Sequence, residues 1–383
     1  MNPVLCFNLV TLLSGFSFFA FILLIPLFAH ELGMSLTQTG ITLAVFSIAV
    51  ILFSPLWGHL SDRFGHRRLL LALGNLLYFA SSLLYVYTNT LEGLIALRFV
   101  QGVGFATNPM LTALFSDYFG SEATRRFGGF SAANAVGAGL GSLLSGILAD
   151  VLGFRWVFAI VSFLVLLTVG IIYWGLPETA SFHAERTRER QRIPGKLFYL
   201  YGMVFVRHSA AVALWSIFPL YLNSLVRSLS LVGAINGVNM LLQPIVMLSL
   251  GKYGERWDKL QMVLWGVAGS VVTFLVYALA SDIWLIVVGQ VMIAVSWSAM
   301  FIGMNLYMIE EVPPGGRGKA FGYLASAFTS AASIGPLLGG TLSDFYGIHG
   351  MIFFVSVLMA LSIPFLLRLQ VVEKRAHSKP SSG

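Results

Sequence analysis

The chain has 383 residues, of which 57% are hydrophobic and 10% charged, and its mean hydropathy is +0.84. Soluble chains of this size carry about 25% charged residues, so composition excludes an ordinary soluble domain and points to an all-α polytopic protein whose main partner is the lipid bilayer. The net charge of +7 would suit nucleic acid, but the basic residues are spread over inter-helix loops, so no nucleic-acid partner is expected. Cys6 is the sole cysteine, which excludes an intrachain disulfide and a cysteine-based metal site.

Apolar runs long enough to cross a hydrocarbon core fall at 4–29, 37–58, 69–88, 92–115, 128–149, 154–175, 197–222, 230–250, 260–280, 283–308, 319–341 and 349–369, predicting twelve transmembrane helices. The first lacks the basic start and small-residue cleavage site of a removable signal and reads as a retained helix. The long polar stretch at 177–196 divides the chain into a bundle at 1–176 and a second at 197–370, followed by a tail at 371–383. If the spans alternate, all of the 23 Lys and Arg except Arg98, Arg155, Arg207 and Arg227 fall on one face. The positive-inside rule makes that face cytoplasmic, together with both termini and the central loop.

Between the second and third spans lies Gly58-His-Leu-Ser-Asp62-Arg63-Phe-Gly65-His66-Arg67-Arg68, read as a tight charged loop of about ten residues in which Gly58 and Gly65 permit turns and close approach. Gly58, Asp62 and Arg63 recur as Gly251, Glu255 and Arg256 at one constant offset, and Asp117 recurs as Glu310. Gly146–Gly153 likewise matches Gly340–Gly347. Two six-helix halves in parallel repetition imply two pseudo-symmetric bundles.

On these residues the chain resembles the major facilitator superfamily. The 58–68 loop resembles that family's loop between helices two and three. Arg98-Phe-Val-Gln101-Gly102-Val-Gly104 resembles its R-x-x-Q-G-x-G motif in helix four. Gly137 to Gly146 resembles the helix-five signature of the drug:proton exporters, with Ser142 in place of its proline and Ser145 in place of a glycine. The intact form, Gly335-Pro336-Leu-Leu-Gly339-Gly340, lies in the eleventh span. The resemblance implies twelve helices in two bundles and secondary transport by alternating access. It also implies a proton as coupling ion, a small organic substrate, efflux as the direction, and a monomer in the plasma membrane.

The residues themselves show no H-E-x-x-H, no phosphate-cradling glycine loop, no G-x-S-x-G and no His pair at metal-ligand spacing, so neither an enzyme nor a metal or other cofactor is expected. Only Arg98 and Arg207 place a formal charge well inside a span, where charge costs several kcal/mol and faces a cavity or a partner; the competing reading is that they only brace packing. Gln101 shares the face of Arg98, and His208 lies beside Arg207. Asn236, Asn239 and Gln243 share one face of the eighth span. With Arg98, Gln101, Arg207, His208 and Trp297 they form the predicted substrate cavity; Trp215, Gln290 and Asn305 are weaker candidates.

The predicted gate consists of Asp62 at the N-terminus of a neighbouring helix, Arg63, His66 and Arg67 reaching Asp117, and the mirror set Glu255, Arg256 and Lys259 near Glu310. Gly137, Gly141, Gly335 and Gly339, each pair four apart, are expected at a sliding helix contact with Pro336 beside them. No carboxylate lies inside a span, which favours neutral or anionic substrates. The alternatives are an uptake permease of the same fold and, from another class, a polytopic membrane enzyme or a transport-dead sensor.

Overall fold

A computed structural model describes residues 2–178, 193–253 and 256–377. Thirteen α-helices run through them: α1 Pro3–Glu31, α2 Leu36–Phe64, α3 Arg67–Leu84, α4 Leu91–Phe105, α5 Asn108–Phe119, α6 Ala123–Leu152, α7 Phe154–Gly175, α8 Leu197–Val226, α9 Leu229–Tyr253, α10 Lys259–Leu279, α11 Ile283–Glu311, α12 Pro314–Ala360 and α13 Ile363–His377. No strand occurs among the described residues, as expected where lipid offers no partner for backbone N–H and C=O groups. Ten stretches are long and apolar enough to cross a membrane. The last of these, Gly316–Lys374, holds two spans, because Gly347 (φ 71°) interrupts α12.

Helix starts are written locally. Asn2 caps α1 by accepting from Val4 N–H, with Pro3 in the first turn. Ser35 and Gln38 form a capping box on α2. Thr90, Asp258 and Asp282 cap α4, α10 and α11.

The fourth span is broken at Ala106–Thr107 into α4 and α5. Pro109 lacks an N–H and cannot continue the ladder to Phe105. Thr107 N–H bonds Gly104 O and Met110 N–H bonds Thr107 O, so the carbonyls of Val103 and Ala106 lose their usual partners. Both are recovered from α2: Trp57 Nε1 donates to Val103 O (2.9 Å) and Ser54 Oγ to Ala106 O (3.3 Å).

Three expectations need correction. The 58–68 stretch is mostly helix: α2 runs to Phe64, α3 starts at Arg67, and only Gly65 and His66 lie between. Gly65 does turn in the left-handed region (φ 70°), but Gly58 is helical and a Cβ there would meet nothing within 4 Å, so close approach does not explain it. Helix α13 runs on through residues 371–377, the first part of the stretch assigned to the tail, and the rest of that stretch lies outside the described residues.

The third correction concerns the glycines. A Cβ on Gly137 would lie 2.0 Å from Leu12 O, and one on Gly141 2.2 Å from Phe16 O. Both therefore press α6 against α1, in the same half. A Cβ on Gly335 would meet Val212 Cβ at 2.7 Å and Ser209 O at 3.0 Å, pressing α12 against α8. These positions fasten helices within a half. Gly339 and Pro336 are buried on the same helix.

By contacts the chain forms two compact units, Met1–Arg186 with Ser216–Leu241, and Thr187–Trp215 with Leu242–Gly383. The first has a core around Cys6, Phe7, Val10, Leu114, Phe115 and Ile172. The second is built on Leu200, Val204, Val263, Met300, Met304 and Leu324.

Candidate functional site

In the first unit, Arg98 is 3% exposed and Gln101 fully buried. One helical turn separates them, and Arg98 Nη1 donates to Gln101 Oε1 at 2.6 Å. The same oxygen accepts from Tyr85 Oη (3.0 Å), and Gln101 Nε2 donates to Ser82 Oγ (2.8 Å). The guanidinium lies 4.3 Å from the Phe46 ring centroid, within cation–π range. Sequence spacing links Arg98 to Gln101, but nothing local announces Tyr85, Ser82 or Phe46, which arrive from other elements.

In the second unit, Arg207 is 2% exposed and makes a single hydrogen bond, Nη2 to Ser270 Oγ at 2.8 Å. Its guanidinium sits 4.9 Å from the Trp297 centroid, and Nε is buried without a partner. The His208 ring packs on Trp297 (5.7 Å) and edge-on to Phe328 (4.8 Å), with Nδ1 buried and unbonded. Trp297 thus joins two side chains that leave α8 in different directions. Gln290, two turns along α11 from Trp297, is fully buried with neither amide atom bonded. Of the weaker candidates, Asn305 bonds Phe301 O on its own helix, and Trp215 packs on Phe274 and Tyr277. No Asp or Glu is buried among the described residues.

On α9, Asn239 is buried while Asn236 and Gln243 are half-buried. By contacts Asn236 and Asn239 belong to the first unit and Gln243 to the second. A small cavity in the first unit, lined by Ser14, Ser17, Asn75, Tyr78, Phe105 and Val165 among others, has room for about one water molecule. It is too small for an organic substrate.

At the basic-loop end, Arg67 donates to Asp117 and lies 3.4 Å from Asp62, while neither Arg63 nor His66 reaches Asp117. Arg63 lies over Phe64. In the second unit Lys259 pairs with Glu310 at 3.2 Å. Arg256 is exposed, and Glu255 lies outside the described residues.

Sequence reading misses an ion cluster at the same end. Lys196 Nζ lies 2.5 Å from Glu311 and 3.0 Å from Glu373, which also accepts from Tyr307 Oη at 2.7 Å. Burial disfavours the Lys196 ammonium, but its bonds to the two carboxylates outweigh that and raise its pKa above the usual 10.5. Arg68 holds the other edge of the central loop through Glu178 (3.4 Å) and Leu176 O (3.1 Å).

The family model described as Major Facilitator Superfamily matches this chain twice, over residues 7–208 and 200–383. A multi-drug resistance efflux pump, PmrA, of Streptococcus pneumoniae is 26% identical over 93% of this chain and 92% of the pump. The class H tetracycline resistance protein of Pasteurella multocida is 25% identical over 79% of this chain and 78% of its own. Among solved structures, the nucleoside transporter NupG superposes with a TM-score of 0.78 at 14% identity, over 98% of this chain and 100% of that one. A bacterial homologue of the human lysosomal transporter Spinster gives 0.82 at 14%, over 99% and 98%.

Proposed function

Because this chain belongs to the Major Facilitator Superfamily, we propose that it is a proton-coupled exporter of neutral or anionic small organic molecules. It would work by alternating access in the cell membrane, with both termini and the central loop cytoplasmic. The chain is a multi-pass membrane transporter whose curated relatives include pumps named for multidrug and tetracycline resistance. Efflux is the direction those names support.

The preference for neutral or anionic cargo rests on one observation. Arg207 is buried with only a hydroxyl and an indole for company, and no buried carboxylate accompanies either intramembrane arginine among the described residues. A guanidinium in that setting repels a permanent cation and attracts an acceptor-bearing ligand. Arg207, His208 and Trp297, in the second unit, are the residues we assign to the substrate cavity. His208 is the intramembrane side chain whose unperturbed pKa suits a coupling proton. Arg67 with Asp117, and Lys259 with Glu310, are assigned to the cytoplasmic gate.

The test is transport by purified protein in proteoliposomes under an imposed pH gradient, with anionic, neutral and quaternary ammonium compounds compared. Accumulation of neutral or anionic compounds against their gradient, abolished by collapsing the pH difference, is expected. Saturable transport of a quaternary ammonium compound would overturn the charge assignment. Full retention of proton-driven accumulation by His208→Gln would remove that residue from the coupling step. Inverted vesicles report direction.

A further inference from the structure

Asp150, in the last turn of α6, accepts four hydrogen bonds from the start of another helix. The backbone N–H groups of Leu229 and Ser230 donate to it at 2.9 and 2.7 Å, and the hydroxyls of Ser228 and Ser230 at 3.0 and 2.5 Å. These residues open α9. The carboxylate therefore caps a helix to which it does not belong, filling orphan donors at the positive end of the helix dipole.

Below this cap the two helices touch backbone to backbone. A Cβ on Gly146 would fall 2.3 Å from Leu229 O, and one on Gly233 2.6 Å from Ser142 O. The turn leading into the cap carries Arg227 at φ 49°, the one non-glycine residue with positive φ among the described residues, a conformation disfavoured for a side chain of that size. Arg227 is exposed, and Arg155 is committed to Val86 O and Asn89. Hydrogen bonds to the helix end, rather than a cation, therefore hold the carboxylate.

The sequence frame is also informative. Gly146-Ile-Leu-Ala-Asp150-Val-Leu-Gly153 repeats the G-x-L-x-D-x-x-G frame of Gly58 to Gly65. In both, the closing glycine ends its helix at positive φ, 70° at Gly65 and 80° at Gly153. Asp150 thus stands at the end opposite the basic loops in the sequence setting that Asp62 occupies at the basic-loop end.

α6 lies in the first family match and α9 in the second, although in this structure their contact draws the start of α9 into the same compact unit as α6. Alternating access rocks one repeat against the other around a fixed site, so a contact joining one helix of each is made in one state and broken in the next. We propose that Asp150 is the latch of this contact: its carboxylate holds α6 to the start of α9, and must let go before the end opposite the basic loops can open. Only the need for that opening rests on the transporter reading.

The experiment reads the contact without any substrate. Ser142 is 3% exposed in the seam, and the native Cys6 is fully buried, so maleimide labelling of the Ser142→Cys protein reports opening over a low background. Adding Asp150→Asn is expected to raise the labelling rate about tenfold, the scale set by losing charged hydrogen bonds, with Asp150→Glu nearer the parent. Ser230→Ala, which removes one hydroxyl donor, should shift labelling the same way by a smaller factor. Unchanged labelling in a folded Asp150→Asn protein overturns the latch; should that variant not fold, unchanged labelling in Ser230→Ala does so. Failure to find any transported compound would sink the proposed function and leave this measurement standing.

Discussion

Arg98 and Arg207 are buried to the same degree, one in each unit, yet their surroundings differ in kind. Arg98 feeds a closed circuit in which Gln101 is also held by Tyr85 and Ser82. Arg207 likewise makes one hydrogen bond and lies over one ring, and Nε is buried without a partner in both arginines; the difference is that its acceptor, Ser270, donates back to Gly266 O on its own helix and joins no circuit. A network that ties several elements together rigidifies a bundle, whereas a guanidinium held by one hydroxyl at membrane depth is costly to keep. The contrast makes Arg98 the better candidate for a brace and Arg207 the better candidate for a group that meets a ligand, which the shared residue type alone would not do.

The strongest way to break that contrast is to cut the brace. Gln101→Leu strips partners from Arg98, Tyr85 and Ser82 at once and should cost about 3 kcal/mol of stability. It should be seen as a lowered thermal midpoint in detergent, with whatever folds keeping its substrate preference. A midpoint equal to wild type would mean that the circuit is incidental.

Next in size is Arg207→Met. Replacing a poorly paired buried charge by an apolar group of similar volume is often neutral or stabilising, so the midpoint should hold or rise. Affinity for an anionic substrate should fall by about 2 kcal/mol, roughly thirtyfold. If stability collapses and transport per folded molecule survives, the roles of the two arginines are reversed.

A smaller effect is expected at the basic-loop end. Asp117→Asn removes the Arg67 pair, which is partly exposed and worth about 1 kcal/mol. It should change the rate of turnover by several-fold and lower the thermal midpoint by no more than about 2 °C.

The smallest effect is a flat line. The pKa of Lys196 is raised in the fold, so its contribution to stability is complete below its unfolded value of 10.5 and is lost only as pH climbs through the higher folded value. The difference in midpoint between wild type and Lys196→Met should therefore stay constant from about pH 7 to pH 10. A difference that shrinks near neutrality would show that the lysine is not held charged by Glu311 and Glu373.

How far the chain can be read in advance follows from which signals are local. Long apolar runs announce spans because lipid enforces them, and the spacing of Arg98 and Gln101 announces a shared face. The break at Ala106–Thr107 is also written, in Asn108-Pro109, but an apolar run hides a change of backbone. The four-residue spacing of Gly137 and Gly141 tells that some helix comes close; it carries no label for which, and the neighbour is α1. Asp150 reads in sequence as one acid of a repeated frame. Its four donors come from residues 78 to 80 positions away, beyond what periodicity can reach.

The interruption between α4 and α5 has a mechanical consequence. Pro109 and the tightened turn strip Val103 and Ala106 of their axial bonds, and Trp57 and Ser54 take up those carbonyls from α2. In hydrocarbon, letting either go strands a backbone oxygen at a cost of several kcal/mol. The interruption is therefore a braced joint and no swivel. Any stroke that displaces the upper part of α4 drags α2 with it, so the two act as a single crank arm, and the charged turn at Gly65–His66 rides on its tip.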